Sequence, residues 1–179
     1  MRARLHVDPR PERPARIIPT RGIIAGCIGG LFGTVAMDLF GGGLFLAMGG
    51  PASLSFSIIG DAAAAFLAML GMTLAGGTPL GALLHYLIGL VFGALFGAAV
   101  LRAAVLRMSS PLKAIGLGML YVELVSQPLL ASAAWVLQMT AAETAQWFGI
   151  SFVMHLVYGL VLGLVTYYGL RGAPAARQA

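Results

Sequence analysis

The chain has 179 residues, 59% of them hydrophobic and 9% charged, with a mean hydropathy of +0.92. Soluble domains carry about 25% charged residues, so an ordinary water-soluble globule is excluded and a polytopic membrane protein is expected. A single cysteine, Cys27, excludes an internal disulfide and a cysteine-built metal site, and the net charge of +5 comes from basic residues at the edges of apolar runs, where they set topology and do not form a nucleic-acid patch.

Residues 1–21 hold six Arg, four Pro, Asp8 and Glu12. They read as a disordered, basic cytoplasmic arm. The apolar run that follows is too long for a signal-peptide core. Residues 22–171 form a single transmembrane helical domain, and 172–179 a flexible cytoplasmic tail.

The first span covers 22–48. Gly22, Gly26, Gly30, Thr34 and Asp38 recur every four residues, so they share one helix face. Gly29 and Gly33 widen that face into a close-packing surface, and Gly41-Gly42-Gly43 should loosen its far end. Gly49-Gly50-Pro51 breaks the chain, and Gly76-Gly77-Thr78-Pro79 breaks it again. Between the breaks, Ser53–Leu74 is apolar apart from Asp61. Thr78 reads as an N-cap with Pro79 at the first helical position.

Residues 79–101 carry His85 followed by Gly89, Gly93 and Gly97. Ser110-Pro111 opens the next helix. There Gly116, Glu123, Gln127, Ala131, Ala134 and Gln138 are read as one face, and Pro128 should kink the helix. Thr140 and Glu143 have capping-box spacing. The last span, about 146–170, carries His155, Gly159 and Gly163, with Trp147 and Tyr167-Tyr168 at its two ends as an aromatic belt.

One motif occurs twice. His85-Tyr86-Leu87-Ile88-Gly89-Leu90-Val91-Phe92-Gly93 and His155-Leu156-Val157-Tyr158-Gly159-Leu160-Val161-Leu162-Gly163 both read H-x-x-x-G-L-V-x-G. A weaker match pairs Gly33 to Leu39 with Gly118 to Leu124, which sets Asp38 against Glu123. Gly26, Gly30, Gly89, Gly93, Gly97, Gly159 and Gly163 are therefore expected at helix contacts. Each His should point into a contact and away from lipid.

Charge decides the number of spans. Of the 11 Lys and Arg, six precede residue 22, three lie in 102–113 and two follow 170. Four spans put all of them on one side, whereas a fifth crossing at Ser53–Leu74 divides them. The positive-inside rule therefore favours an all-α bundle of four transmembrane helices plus one re-entrant or interfacial helix over 55–74, with both termini cytoplasmic and the protein in the plasma (inner) membrane.

Five residues form a candidate intramembrane polar site: Asp38, His85, His155, Glu123 and Gln127. Ionisable groups are costly in a bilayer, so they point to function, although hydrogen-bonded glue between helices is an equally good account. No P-loop, nucleophile elbow or H-E-x-x-H is present. The expected protein is not an enzyme and holds no metal or cofactor. It reads as an accessory or self-associating membrane subunit, with the lipid bilayer, its own copies or a larger membrane complex as partners and no nucleic acid. The rival reading is a small proton-linked permease or channel using the Asp, Glu and His residues. A rarer alternative is a bis-His haem protein using His85 and His155.

At these residues the chain resembles the YagU-like family of small bacterial and archaeal inner-membrane proteins. The resemblance lies in Gly22-Ile23-Ile24-Ala25-Gly26, in His85 opening the second full span, in Ser126-Gln127-Pro128-Leu129, and in His155 before the last Gly-x-x-x-Gly. It covers most of 22–170. It implies a four-span membrane protein with no established reaction, and it adds no catalytic residue.

Overall fold

The computed structural model describes residues 20–171. The arm before Thr20 and the tail after Arg171 lie outside the described residues, as do the readings made for them. Five helices follow in order: α1 (Thr20–Ala47), α2 (Leu54–Met69), α3 (Gly77–Arg102), α4 (Pro111–Val136) and α5 (Ala141–Arg171). A single 3-10 turn, Ala104–Leu106, joins α3 to α4. Among the described residues there is no strand.

Four of the helices, α1, α3, α4 and α5, are long and apolar enough to cross a membrane. Helix α2 has 16 residues, so it is about 24 Å long and falls short of a hydrocarbon core of about 30 Å. It ends five residues before Leu74 because Gly71, at φ +79°, turns the chain into a left-handed cap. Met72 N–H then donates to the Leu67 carbonyl at 3.0 Å, as such a cap requires. Gly49, at φ +80°, closes α1 in the same way. The three glycines at 41–43 do not loosen α1, which stays helical to Ala47.

At the other helix starts, Ser110 Oγ accepts from Lys113 N–H at 3.2 Å ahead of Pro111. The expected capping box at α5 is formed, with Thr140 N–H donating to Glu143 Oε2 at 2.8 Å and Glu143 N–H to Thr140 Oγ1 at 3.3 Å. Helix α3 departs from expectation. It begins at Gly77, and the acceptor at its start is not Thr78 but the Asp61 carboxylate of α2, 2.7 Å from Gly77 N.

The bundle is apolar on the outside. Leu39, Leu46, Leu83, Leu124 and Leu160 are exposed, whereas the buried stripe of α1 is mostly small, with Gly22, Ala25, Gly26, Gly29, Gly30, Gly33, Thr34 and Gly41 beside Met37 and Phe45. A soluble fold reverses this arrangement, because contiguous apolar surface of that extent is not left in water. The chain is an integral membrane protein.

Small residues set the packing. A Cβ on Gly26 would meet the Gly93 carbonyl of α3, one on Gly30 that of Gly89, and one on Gly97 that of Gly22. Helices α1 and α3 are thus antiparallel with backbones in contact. Helices α4 and α5 repeat the arrangement: Gly118 abuts the Gly159 carbonyl and Gly163 the Ala114 carbonyl. Across the middle, Gly29 and Gly33 of α1 face Leu162 and Tyr158 of α5. Following the antiparallel order, Arg21, Arg102, Arg107, Lys113 and Arg171 gather at one end, hereafter the basic end. Asp61 and Glu143 lie toward the other.

Candidate functional site

The glycine contacts of α1 with α3 and of α4 with α5 lie in the basic half, and in the other half α2 packs closely on the start of α3. Toward the other end the helices separate around a cavity of about 480 Å³, walled by residues of all five helices. Geometry explains the gap. Helix α3 starts only eight residues before His85, about 12 Å, whereas α5 begins 14 residues before His155, about 21 Å. Helix α2 fills the space above α3. Its Gly60 sits on Gly77, its Phe56 carbonyl meets Gly81, and its second half runs on past the start of α3.

His85 and His155 both line this cavity. They lie at the same level, because Gly30 of α1 meets Gly89 while Gly33 meets Tyr158, and Tyr158 Oη donates to the Gly89 carbonyl at 2.7 Å. His85 Nε2 is 2.9 Å from Asp38 Oδ1, with both side chains largely buried. The angles are not those of a directed hydrogen bond, neither carboxylate oxygen nor Nε2 forms one of good geometry among the described residues, and the Tyr86 hydroxyl lies near the same carboxylate. The contact is therefore electrostatic, an ion pair whenever His85 is protonated. The edge of Phe56 packs on the His85 ring, with centroids 5.5 Å apart.

His155 has a different partner, Ser126 Oγ, 3.1 Å from Nδ1. The sequence placed Ser126 in the stretch that carries the family resemblance and not in the candidate polar site. The helix contacts would have found it: Gly118 stands 88 residues after Gly30 and Ala114 88 after Gly26, and on that spacing Asp38 corresponds to Ser126. The match of Asp38 with Glu123, three residues out of register, is thus corrected. Each His has one polar partner on the adjacent helix, a carboxylate in the first pair and a hydroxyl in the second.

Glu123 and Gln127 do not join the site. The buried stripe of α4 is Ala114, Gly118, Val122, Ser126, Leu130 and Ala134, and Glu123 is one residue out of phase with it, a rotation of about 100°. Tyr121, on the opposite flank, donates to the Phe92 carbonyl of α3 at 2.9 Å. Glu123 therefore turns away from α3, and its oxygens have no partner among the described residues. Gln127 and Gly116 on the same side are exposed. Helix α4 continues through Pro128, and Gln138 lies beyond its end. Trp147 does not act as a belt residue either, since it lines the cavity and its Nε1 donates to the Leu130 carbonyl at 3.3 Å.

Further hydroxyls converge on the cavity. Ser55 of α2 and Ser151 of α5 are buried residues on its wall. Among the described residues no three His, Cys, Asp or Glu side chains come together as a metal site would, so Asp38, His85 and His155 do not form a three-ligand set. Phe66 and Leu129 line the cavity yet are about half exposed, which marks its mouth between α2 and α4.

No family model, curated protein or solved structure matches the chain. A pocket of 300–1,000 Å³ with mostly apolar walls and a few convergent polar groups is the ordinary form of a small-molecule site.

Proposed function

We propose that the protein is a non-enzymatic, multi-pass protein of the plasma membrane that binds a small lipophilic molecule in this cavity, acting as an accessory or carrier subunit. The observation that carries the reading is the convergence of Ser55, His85, Ser126, Ser151 and His155, from four helices, on one mostly apolar cavity at membrane depth. The basic end faces the cytoplasm, in line with the positive-inside rule. The resemblance to YagU-like proteins implies only a four-span membrane protein and adds no reaction.

The test is binding of an environment-sensitive naphthalene dye to the full chain in nanodiscs. Saturable binding in excess of empty discs, abolished by the cavity-filling substitution Ala133→Trp, supports the reading. Dye uptake equal to that of empty discs overturns it.

The proton-linked permease remains a second reading because the Asp38 and His85 contact borders the cavity. Against it, neither Asp38 nor Glu123 lines that cavity, so this cavity does not join the two acids. Acid-driven dye release from proteoliposomes that disappears in Asp38→Asn would favour transport. A Soret band in the purified protein would instead favour the haem alternative.

A further inference from the structure

We propose that the ligand of the cavity is a neutral, ring-headed lipophile carrying two hydrogen-bonding oxygens, the quinone class of molecule. This rests on the cavity being a binding site, and three observations narrow its occupant.

Charge comes first. The basic residues among those described lie at the far end of the bundle. Arg102 is 17 residues from His85 and Arg171 is 16 from His155, about 25 Å of helix in each case. Nothing in the cavity offers a fixed cation to a phosphate or carboxylate. The nearest acid, Asp38, already faces His85, and Glu123 is not on the wall. A charged head group would be desolvated there without a partner, which is prohibitive in an apolar medium.

Second, the polar groups form two points of contact. The Asp38 carboxylate lies against Nε2 of His85 without a directed hydrogen bond, and Nδ1 is the other ring nitrogen. Ser126 occupies Nδ1 of His155, which leaves Nε2. These two remaining ring nitrogens belong to different helices at one level. An imidazole nitrogen donates or accepts according to its tautomer, so carbonyl oxygens and hydroxyls on opposite edges of a ring are both suited to the pair.

Third, the mostly aliphatic wall carries four aromatic side chains. Phe66, Phe92, Trp147 and Tyr158 line the cavity, and aromatic rings pack best against other flat rings in offset or edge-on geometry. Above the histidines the wall continues through Ala133 and Val136 to Trp147. That gives an alkyl substituent roughly 12 Å of apolar surface, the rise from His155 to Trp147.

The experiment uses the full chain in nanodiscs with Trp135→Phe, so that emission reports Trp147. Three probes of equal tail length are compared: decyl-benzoquinone, decylbenzene without oxygens, and decanoate. The quinone should quench Trp147 saturably and displace the naphthalene dye at a concentration about tenfold below that of decylbenzene, the gain expected from one or two net hydrogen bonds. His155→Leu and His85→Leu should each remove most of that advantage, read as the ratio of quinone to decylbenzene displacement within the same variant. If decylbenzene displaces the dye as well as the quinone does, the quinone class is wrong while the binding cavity stands. A preference for decanoate likewise overturns it, in favour of an anionic ligand. If no probe binds saturably, the cavity reading itself has failed. The probe comparison is made before any His is changed, so a misfolded variant does not blunt it.

Discussion

Gln138 closes α4 at φ +52°, the one non-glycine residue with positive φ among those described. Its N–H reaches the Trp135 carbonyl at 3.2 Å, and Met139 N–H reaches that of Ala134 at 3.0 Å, so the geometry is that of a glycine cap built without glycine. A left-handed L-residue costs roughly 1–2 kcal/mol. Gln138→Gly should therefore raise stability by about 1 kcal/mol, after allowing for the lost Nε2 bond to Trp135. A higher SDS-unfolding midpoint in nanodisc-derived protein is the expected reading, and a lower one removes the argument. Asp61 acts at the same scale on another helix. Asp61→Ala frees the Gly77 N–H and should cost about 1 kcal/mol, while Asp61→Asn keeps an acceptor and should cost little. Neither role was legible in the sequence. Position 138 carries no glycine to signal a cap, and Asp61 is 16 residues from the N–H it accepts.

At the scale of whole helices, the packing of α1 on α3 makes a sharp prediction. A methyl at Gly26 or Gly93 would collide with the facing backbone, and backbone does not yield as a flexible side chain does. Gly26→Ala and Gly93→Ala should each destabilise by about 1–3 kcal/mol. Gly116 has nothing within 4 Å, so Gly116→Ala should be neutral or stabilise by up to about 1 kcal/mol through helix propensity alone. Equal costs at the two kinds of site would mean that the helices are not in backbone contact. The helices themselves were legible because hydropathy, the Ser110-Pro111 start and the Thr140 to Glu143 box are local signals. The phase of α4 was not. Glu123, Gln127 and Gly116 do share a face, but polar and small residues mark a face without saying whether it points inward. Only the contacts of Gly118 with Gly159 decide that the inward stripe is one residue away.

For the molecule as a whole, the gathering of the described basic residues at one end has a direct test. In a Cys27→Ser background, an impermeant maleimide added to intact cells should label Ala142→Cys and leave Val105→Cys unlabelled until the cells are opened. The reverse pattern would overturn the orientation, and outside labelling of both would overturn four spans. Part of the candidate site was legible at this scale. The twin His motifs led to both cavity histidines and to Asp38, because intramembrane polar groups are rare enough to stand out. The cavity was not legible, because it arises from a mismatch of helix lengths above His85, with the short α2 standing in for the missing part of α3. No single stretch of chain encodes that mismatch.

The mouth between α2 and α4, marked by Phe66 and Leu129, also determines what concentration the protein senses. Both residues are apolar and belong to the lipid-facing surface, so an occupant arrives sideways, after it has dissolved in the bilayer. Occupancy then follows the mole fraction of ligand in the lipid. Doubling the lipid at fixed protein and fixed total ligand should dilute a strongly partitioning ligand and shift its half-saturation point about twofold in total concentration, as mass action requires. In terms of mole fraction, curves taken at different lipid loads should collapse onto one. A half-saturation point insensitive to lipid load would place the entrance on the aqueous side.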